Sequence, residues 1–578
     1  MSTLNNIVII AFVFLTALRL NAVETISGQL QQELQQEKIT LATAAAIEMI
    51  ALRNPDLLPA GYQHLERPQF TRKTTLLKSI IARHWQEYSE SEKGLLSPFF
   101  MRPSADLLPE SIVSPKGRFK IHYTTEGLHA TTHEFAQEAA GSFEFAYDYQ
   151  VGQLGFMPPP TDFGIDGPEH DIYMQNIPDY GSTTYENAVP ATARQDYTGW
   201  VEIDNDFTHT PTKGYDALHV TAAHELFHLV QLGYRSYHVT DMSAIFLFEA
   251  GATWMEDVVY DEVNDYYYYL PPFFQNPSQP FYVANGIHEY GLTVFYHMLE
   301  QQHGIEVIKS IWDNFIRYEP VVAIDQAVRR YGGTFAHKLI EFSLWNTHTG
   351  IYADTVDYYA EGRHYPELEG NDRFDLYDKV EISNENAELV VKYFELVPAS
   401  AAGFLVTPAF EEPTNDYVVI QTANISPLYQ YGAGDVNLDF YTDKDSVRTW
   451  LNIVNAEIPP FSYSLNKTHY TVVVERGKSA NESSKISSVV PNPFNPAEDH
   501  FLTLEYILQA TTQNLKFMVF QETGQLVFNQ SYGKRPGGYG MIQWDGRNMN
   551  GEAVASGVYF LFLIGDKRIK PSKVAIIN

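Results

Sequence analysis

The strongest constraint on how this chain folds is His224-Glu225-Leu226-Phe227-His228, followed downstream by Phe248-Glu249-Ala250-Gly251-Ala252-Thr253-Trp254-Met255-Glu256. Residues four apart share a helix face, so a helix through His224 and His228 turns both imidazoles to one side. Its flanks, Thr221-Ala222-Ala223 and Leu229-Val230, are uncharged and lack Pro and Gly, as a buried helix requires. Two histidines and a later glutamate make a three-ligand zinc set with a fourth position open to water and substrate. Glu225 then stands beside the ion, where a carboxylate takes a proton from water that the ion has activated. The spacing predicts a zinc peptidase. The plain alternative is a pair of core histidines with ordinary hydrogen bonds, and Glu249 weighs against it.

The stretch Phe246-Leu247-Phe248-Glu249-Ala250-Gly251-Ala252-Thr253-Trp254-Met255-Glu256 resembles the third-ligand helix of the gluzincins, metallopeptidases whose third zinc ligand is glutamate. That resemblance implies His224, His228 and Glu249 as metal ligands and Glu225 as the catalytic base. In the zinc aminopeptidases a second glutamate follows the ligand by seven positions and supports the ligand shell. Glu256 has that offset and would hold a ligand histidine by its far ring nitrogen. A solvated acidic helix face, continued by Asp257, Asp261 and Glu262, is the other reading. Gly286-Ile287-His288-Glu289-Tyr290-Gly291-Leu292 resembles the aminopeptidase segment in which a tyrosine precedes a glycine by three residues. His288 has that offset and Tyr290 adjoins the glycine; either can donate a hydrogen bond to the oxyanion formed in peptide hydrolysis.

The departures limit the likeness. The aminopeptidase substrate-amine signature, Gly-x-Met-Glu-Asn, is missing, and Thr253 replaces the aspartate of thermolysin-like enzymes. Over residues 115–350 the chain is most similar to a bacterial family of secreted gluzincin-type metalloproteases. Its further marks are Phe119-Lys120-Ile121-His122-Tyr123, Asp171-Ile172-Tyr173 and Val201-Glu202-Ile203-Asp204-Asn205-Asp206.

The ends speak of export. Ile7 to Leu18 is apolar except for Thr16 and short for a membrane span, and Leu20-Asn21-Ala22 offers a cleavage site, so residues 1–22 read as a signal peptide. No later stretch reaches the length of a membrane span, so a soluble or tethered mature chain without a transmembrane segment is expected. Zero cysteines exclude disulfides and thiolate chemistry, and a net charge of -32 opposes nucleic-acid binding. Towards the carboxyl end, Val490-Pro491-Asn492-Pro493-Phe494-Asn495-Pro496 opens a run of short alternating strands. Asp545-Gly546 and Asn550-Gly551 turns interrupt them, which predicts a β-sandwich over 479–578. This order resembles the type IX secretion sorting domain, an immunoglobulin-like fold related to the flagellar hook-capping protein. The resemblance implies the type IX machinery as a partner and a bacterial, secreted or surface-attached location reached through the periplasm.

The predicted fold class is α+β and multidomain, a zincin-like catalytic domain of mixed sheet and helical lobe followed by β-sandwiches. Residues 23–110 read as helical, either a pro-region over the cleft or a permanent packing layer; both stand open at this point. The catalytic domain spans 111–374, with strands at Phe119–Tyr123, Asp171–Met174 and Gly199–Ile203, a helix at His133–Val151 and a helical lobe over 250–350. Trp200–Asp204 is the candidate strand at the lip of the cleft, where a peptide substrate pairs by its backbone. Asp162, Asp166 and Asp171, interspersed with Gly164 and Gly167, form an acidic turn that can offer oxygens to calcium, although not at EF-hand spacing. An accessory β-sandwich spans 375–478, and Gly477–Lys485 reads as a linker. The expected function is a secreted zinc endopeptidase acting on proteins or peptides. The rival is an inactive metallopeptidase-like surface protein that binds glycans or cell-wall ligands through its 14% aromatic content. An intact Glu225 favours the enzyme, since a scaffold has no physical need of a carboxylate there.

Overall fold

The sheet that faces the His224 helix has one apolar and one polar face, and each face takes a different set of helices. In the computed structural model, residues 25–577 are described except 68–72, 191, 237–243, 399–401, 411–415, 423–424, 432–437, 443–447, 459–466, 477–483, 497–498, 500, 509–511, 536–537 and 567. The expected signal peptide at 1–22 and most of the expected linker therefore lie outside the described residues. The chain is α+β and multidomain, with several sheets and a helical region. It divides into two units: Met1–Ala327 with Thr349–Glu367 and Pro460–Leu465, and Val328–His348 with Leu368–Pro459 and Asn466–Asn578.

The first unit opens with helices α1 (Ile26–Gln35), α2 (Leu41–Arg53), α3 (Thr74–Arg83) and α4 (Glu90–Leu96). Thr25 and Thr40 cap the first two by accepting the amides of Gly28 and Thr43, which turns one helical stretch of sequence into two helices. The five-stranded sheet follows, with β1 (Glu110–Val113), β2 (Phe119–Tyr123), β3 (His170–Met174), β4 (Gly181–Ala188) and β5 (Tyr197–Ile203) in the order β1-β2-β3-β5-β4. The β2–β3 and β3–β5 pairs are parallel, and β4 is antiparallel to β5. Helix α5 (His133–Tyr147) makes the crossover from β2 to β3 and ends in a π turn at Asp148–Gln153. The strand expected at the lip, Trp200–Asp204, is an interior one: β5 is paired on both sides, and the edge is β4. Residues 181–188 mix Ser, Thr, Tyr and Glu and show no apolar alternation, so periodicity gives this edge strand no signal.

Side chains alternate across a strand. Phe119, Ile121, Ile172, Met174, Val201 and Ile203 form the apolar face, which packs on α5 and on α6 (Gly214–Leu232); Phe119 lies 5.5 Å from Phe143. Gly199 on this face lets α6 approach, since a Cβ there would stand 2.7 Å from Leu232 Cδ1 and 2.8 Å from the Thr184 carbonyl oxygen. The opposite face carries His122, Asp171, Tyr173, Ser182, Thr184, Trp200 and Glu202. There α2 and α3 deliver cations to Glu202: Arg53 at 2.5 Å and the fully buried Lys78 at 3.3 Å, with Lys78 also on Ser182 (3.0 Å) and Thr184 (2.6 Å). The unit continues through α7 (Ile245–Val259), α8 (Leu270–Gln275), α9 (His288–Gly291), α10 (Thr293–His303) and α11 (Ile305–Phe315). Trp312 of α11 wedges against Phe227 of α6 and Phe248 of α7, at 5.9 and 5.3 Å between rings.

In the second unit, α12 (Phe335–Trp345) lies against the strands Asp416–Thr422 and Thr449–Asn455 of a five-stranded sheet, and a four-stranded sheet completes the part over Asp372–Arg476. Ile382, Phe394, Val406, Val418, Leu451 and Val472 form the core between them. Residues 485–576 add a three-stranded and a four-stranded sheet, closed over Phe494, Phe517, Trp544 and Leu561. Among the described residues no helix is long and apolar enough to cross a membrane.

Close approach of α6 to the sheet at Gly199 has a measurable cost when blocked. Gly199→Ala should destabilise the fold by about 1–3 kcal/mol, read as a lower denaturation midpoint at unchanged m-value. An unchanged midpoint would contradict the packing.

Candidate metal centre

Helix α6 is buried continuously from Val220 to Leu232, because the sheet, α5 and α7 enclose it. His224, Glu225, His228 and Gln231 are thus polar side chains in a dry interior, where each needs a partner. His224 Nδ1 donates to Glu256 Oε1 at 2.6 Å, and His228 Nδ1 donates to Gln231 Oε1 at 2.6 Å. Gln231 turns its amide nitrogen to the Phe248 carbonyl at 3.0 Å, which fixes the amide's orientation and ties α6 to α7. Both imidazoles therefore present Nε2 as the free edge.

The free edges converge on Glu249. Its Oε2 lies 3.3 Å from His224 Nε2 and 3.4 Å from His228 Nε2. These three ligand atoms lie within 4.8 Å of one another. His228 Nε2 and both Glu249 carboxylate oxygens are buried without a hydrogen-bond partner. Buried imidazole nitrogen and carboxylate oxygens aimed at one point are donors of the kind a zinc ion takes, so these residues could hold one. Electrostatics agree. Burial opposes charge on His224, yet Glu249 and Glu256 push its pKa up to about 10. Burial likewise opposes the Glu249 carboxylate, yet His228 and His224 hold its pKa well below the usual range. The cluster draws positive charge, supplied by a proton or by a metal.

Glu225 projects beside this cluster towards β4. Thr183 Oγ1 donates to its Oε2 at 2.7 Å. Gly181 leaves the carboxylate its room, since a Cβ there would stand 2.7 Å from Glu225 Cγ and 2.8 Å from Oε1. Helix α9 packs on α7 and brings the Tyr290 ring 6.2 Å from that of His224, with Tyr269 stacked behind it at 5.0 Å. His288 is buried against Phe273 at 5.1 Å, with neither ring nitrogen hydrogen-bonded, and burial pulls its pKa down to about 3. Of the two oxyanion candidates, Tyr290 is the one whose ring stands next to His224. Glu289 turns away and accepts the amides of Asn285, Gly286 and Ile287, which shapes the turn before α9.

All of the sequence-predicted residues except His288 thus have a described link to the cluster. Gln231 and Thr183 are missing from the sequence reading. Gln231 had a signal, a polar residue three positions after His228 within an apolar helix; Thr183 had none. The acidic turn is answered by the chain's own cations. Arg102 pairs with Asp162 at 2.8 Å and with Asp171, and Lys120 lies 3.1 Å from Asp166.

Residues 136–358 match a family of unknown function (DUF6055), a span that holds every residue of the cluster. Residues 497–562 match the FlgD Ig-like domain. No curated protein matches the chain. Solved structures similar in part include PorZ, a surface component of the type-IX secretion system of Porphyromonas gingivalis, at 24% identity over 18% of this chain and 14% of that one, with TM-score 0.14. Latent PorU of the same organism is 11% identical over 36% and 19%, with TM-score 0.15. The lysozyme inhibitor PliG of Aeromonas hydrophila is 10% identical over 18% and 99%, with TM-score 0.13. The chain spans less than a fifth of the length of PorZ and PorU.

Gln231→Leu should weaken zinc binding by about 10- to 100-fold in a competition titration, while Gln231→Glu keeps an acceptor for His228 and binds more tightly than the Leu variant. Equal affinity in the Leu variant and the parent would remove Gln231 from the site.

Proposed function

We propose that this chain is a secreted zinc-dependent endopeptidase of gluzincin type, with a zincin-like catalytic domain. The observation that carries the reading is the convergence of His224 Nε2, His228 Nε2 and Glu249 Oε2, with both far imidazole nitrogens tied down and Glu225 alongside. A zinc ion held by these three would act as a Lewis acid, polarising a carbonyl and lowering the pKa of water to about 7. The remaining chemistry belongs to the chain. Thr183 occupies Glu225 Oε2, so Oε1 is the oxygen that takes a proton from the attacking water and later passes it to the leaving amine. Tyr290, beside His224, is the donor placed to meet the developing oxyanion. The dry surroundings strengthen each of these interactions. Edge strand β4, next to Glu225, is the backbone on which an extended peptide would pair.

Two features support export. Ile7–Leu18 has the length of a signal-peptide core, and the FlgD-like domain, preceded by Pro491-Asn492-Pro493-Phe494-Asn495-Pro496, supports a sorting role towards the type IX machinery.

Glu225→Gln should keep zinc near one equivalent and lower cleavage of an unfolded protein substrate by roughly 100- to 10,000-fold. Glu249→Ala should lose its zinc on dialysis. Unchanged cleavage in the first variant, or stoichiometric zinc in the second, would remove the assigned role.

A further inference from the structure

A peptidase centre must admit a peptide, yet His224, Glu225, His228 and Glu249 are between 1% and 4% exposed. Helices from the start of the chain lie on the far face of edge strand β4 and on the turn before α9. Helix α3 is buried at eight consecutive positions, Thr74 to Ile81, so it is enclosed on every side. A solvent-facing helix shows an exposed stripe, and this one shows none over two turns.

Its contacts reach both walls of the site. On the sheet side, Lys78 holds Ser182 and Thr184 of edge strand β4 and Glu202 of β5. Burial lowers the pKa of its ammonium, and the carboxylates of Glu202 and Glu225 oppose that shift. On the helical side, Lys73 at the start of α3 packs onto the turn before α9, where a Cβ on Gly286 would stand 2.6 Å from Lys73 Cγ. That turn leads into His288 and Tyr290. One helix thus spans from the strand expected to hold substrate to the loop expected to hold the oxyanion donor.

The attachment is of a kind that can come apart. Three cations, Arg53, Lys78 and Arg102, meet the carboxylates of Glu202, Asp162, Asp171 and Glu186. Residues 25–103 carry nine Lys and Arg against eight Asp and Glu, in a chain whose net charge is -32. All three cations lie upstream of an exposed run, Ser104 to Leu107. Leu108, just past that run, is the residue that packs on Tyr173 and Trp200, so a cut in the run leaves the apolar part of the polar face covered.

We propose that residues 25–103 are a detachable intramolecular inhibitor, docked on the acidic sheet face and across the cleft, and that cleavage at Ser104–Leu107 opens the site. This rests on the peptidase reading, and the test separates the two. A specific protease recognition sequence is inserted between Ala105 and Asp106 of the full, zinc-loaded chain. Cut and uncut protein are compared by size exclusion in high salt, by the rate at which a chelator strips zinc, and by hydrolysis of an unfolded protein substrate. The expected result is separation of the segment, with zinc stripping and hydrolysis each faster by at least about tenfold. Faster stripping with no hydrolysis in either form keeps the inhibitor's docking and overturns the peptidase. A segment that stays bound, a body that unfolds without it, or equal stripping before and after the cut overturns the inhibitor and makes these helices a permanent layer. Lys78→Gln in the uncut chain gives a second reading, since it should raise the stripping rate without cleavage; no change counts against the docking contact.

Discussion

Burial of His224, Glu225, His228 and Gln231 on one largely apolar helix is the constraint on which the rest of the first unit depends. These side chains sit in α6 between a sheet and two helices, buried from solvent. Each unpaired group there costs about 1–3 kcal/mol, so the neighbours must supply partners in defined places. Glu256 and Gln231 take the far nitrogens, Thr183 takes one oxygen of Glu225, and the near nitrogens are left facing Glu249. The position of α7 follows from this, because its Glu249 and Glu256, seven residues apart and so two turns along one face, must reach both sides of His224.

What the sequence makes legible is whatever short-range periodicity controls. The histidine spacing places both imidazoles on one helix face, and the seven-residue offset predicts that Glu256 backs a histidine; the 2.6 Å contact to His224 Nδ1 has that geometry. Strands also stand at Phe119–Tyr123, His170–Met174 and Tyr197–Ile203, near where the sequence predicts them, and the β-sandwich strands near 515 and 558 alternate between buried and more exposed positions. What fails depends on distant pairing. Lys78 and Glu202 are 124 positions apart, and no local pattern marks a lysine that will be fully buried. The edge strand is hidden because its side chains meet a carboxylate on one face and ammonium on the other, so both faces are polar. From sequence the interior strand beside it therefore reads as the lip, whereas the edge is β4. The offset to a glycine singles out His288, but its ring packs on Phe273, and the ring beside His224 is that of Tyr290.

The polar sheet face gives the N-terminal helices a different character from α5 and α6. Apolar packing on Phe119, Ile121 and Val201 holds the latter, and such contacts have no soluble alternative once parted. The face beneath α2 and α3 has carboxylates, hydroxyls and an imidazole, groups that water can satisfy when the helices leave. Two buried charges released together recover their hydration, so separation of the whole layer costs less than removal of one partner.

The choice of partners for the two histidines follows from charge. Glu225, Glu249 and Glu256 already place three carboxylates about one point. A fourth carboxylate at position 231 would add a further negative charge to them in a low-dielectric interior. An amide orients His228 through the same acceptor geometry and adds no charge. It also keeps a donor for the Phe248 carbonyl, which a carboxylate could not supply, and that bond lies one residue from Glu249. Gln231 therefore sets two of the three donor positions at once, holding His228 directly and fixing the backbone that carries Glu249.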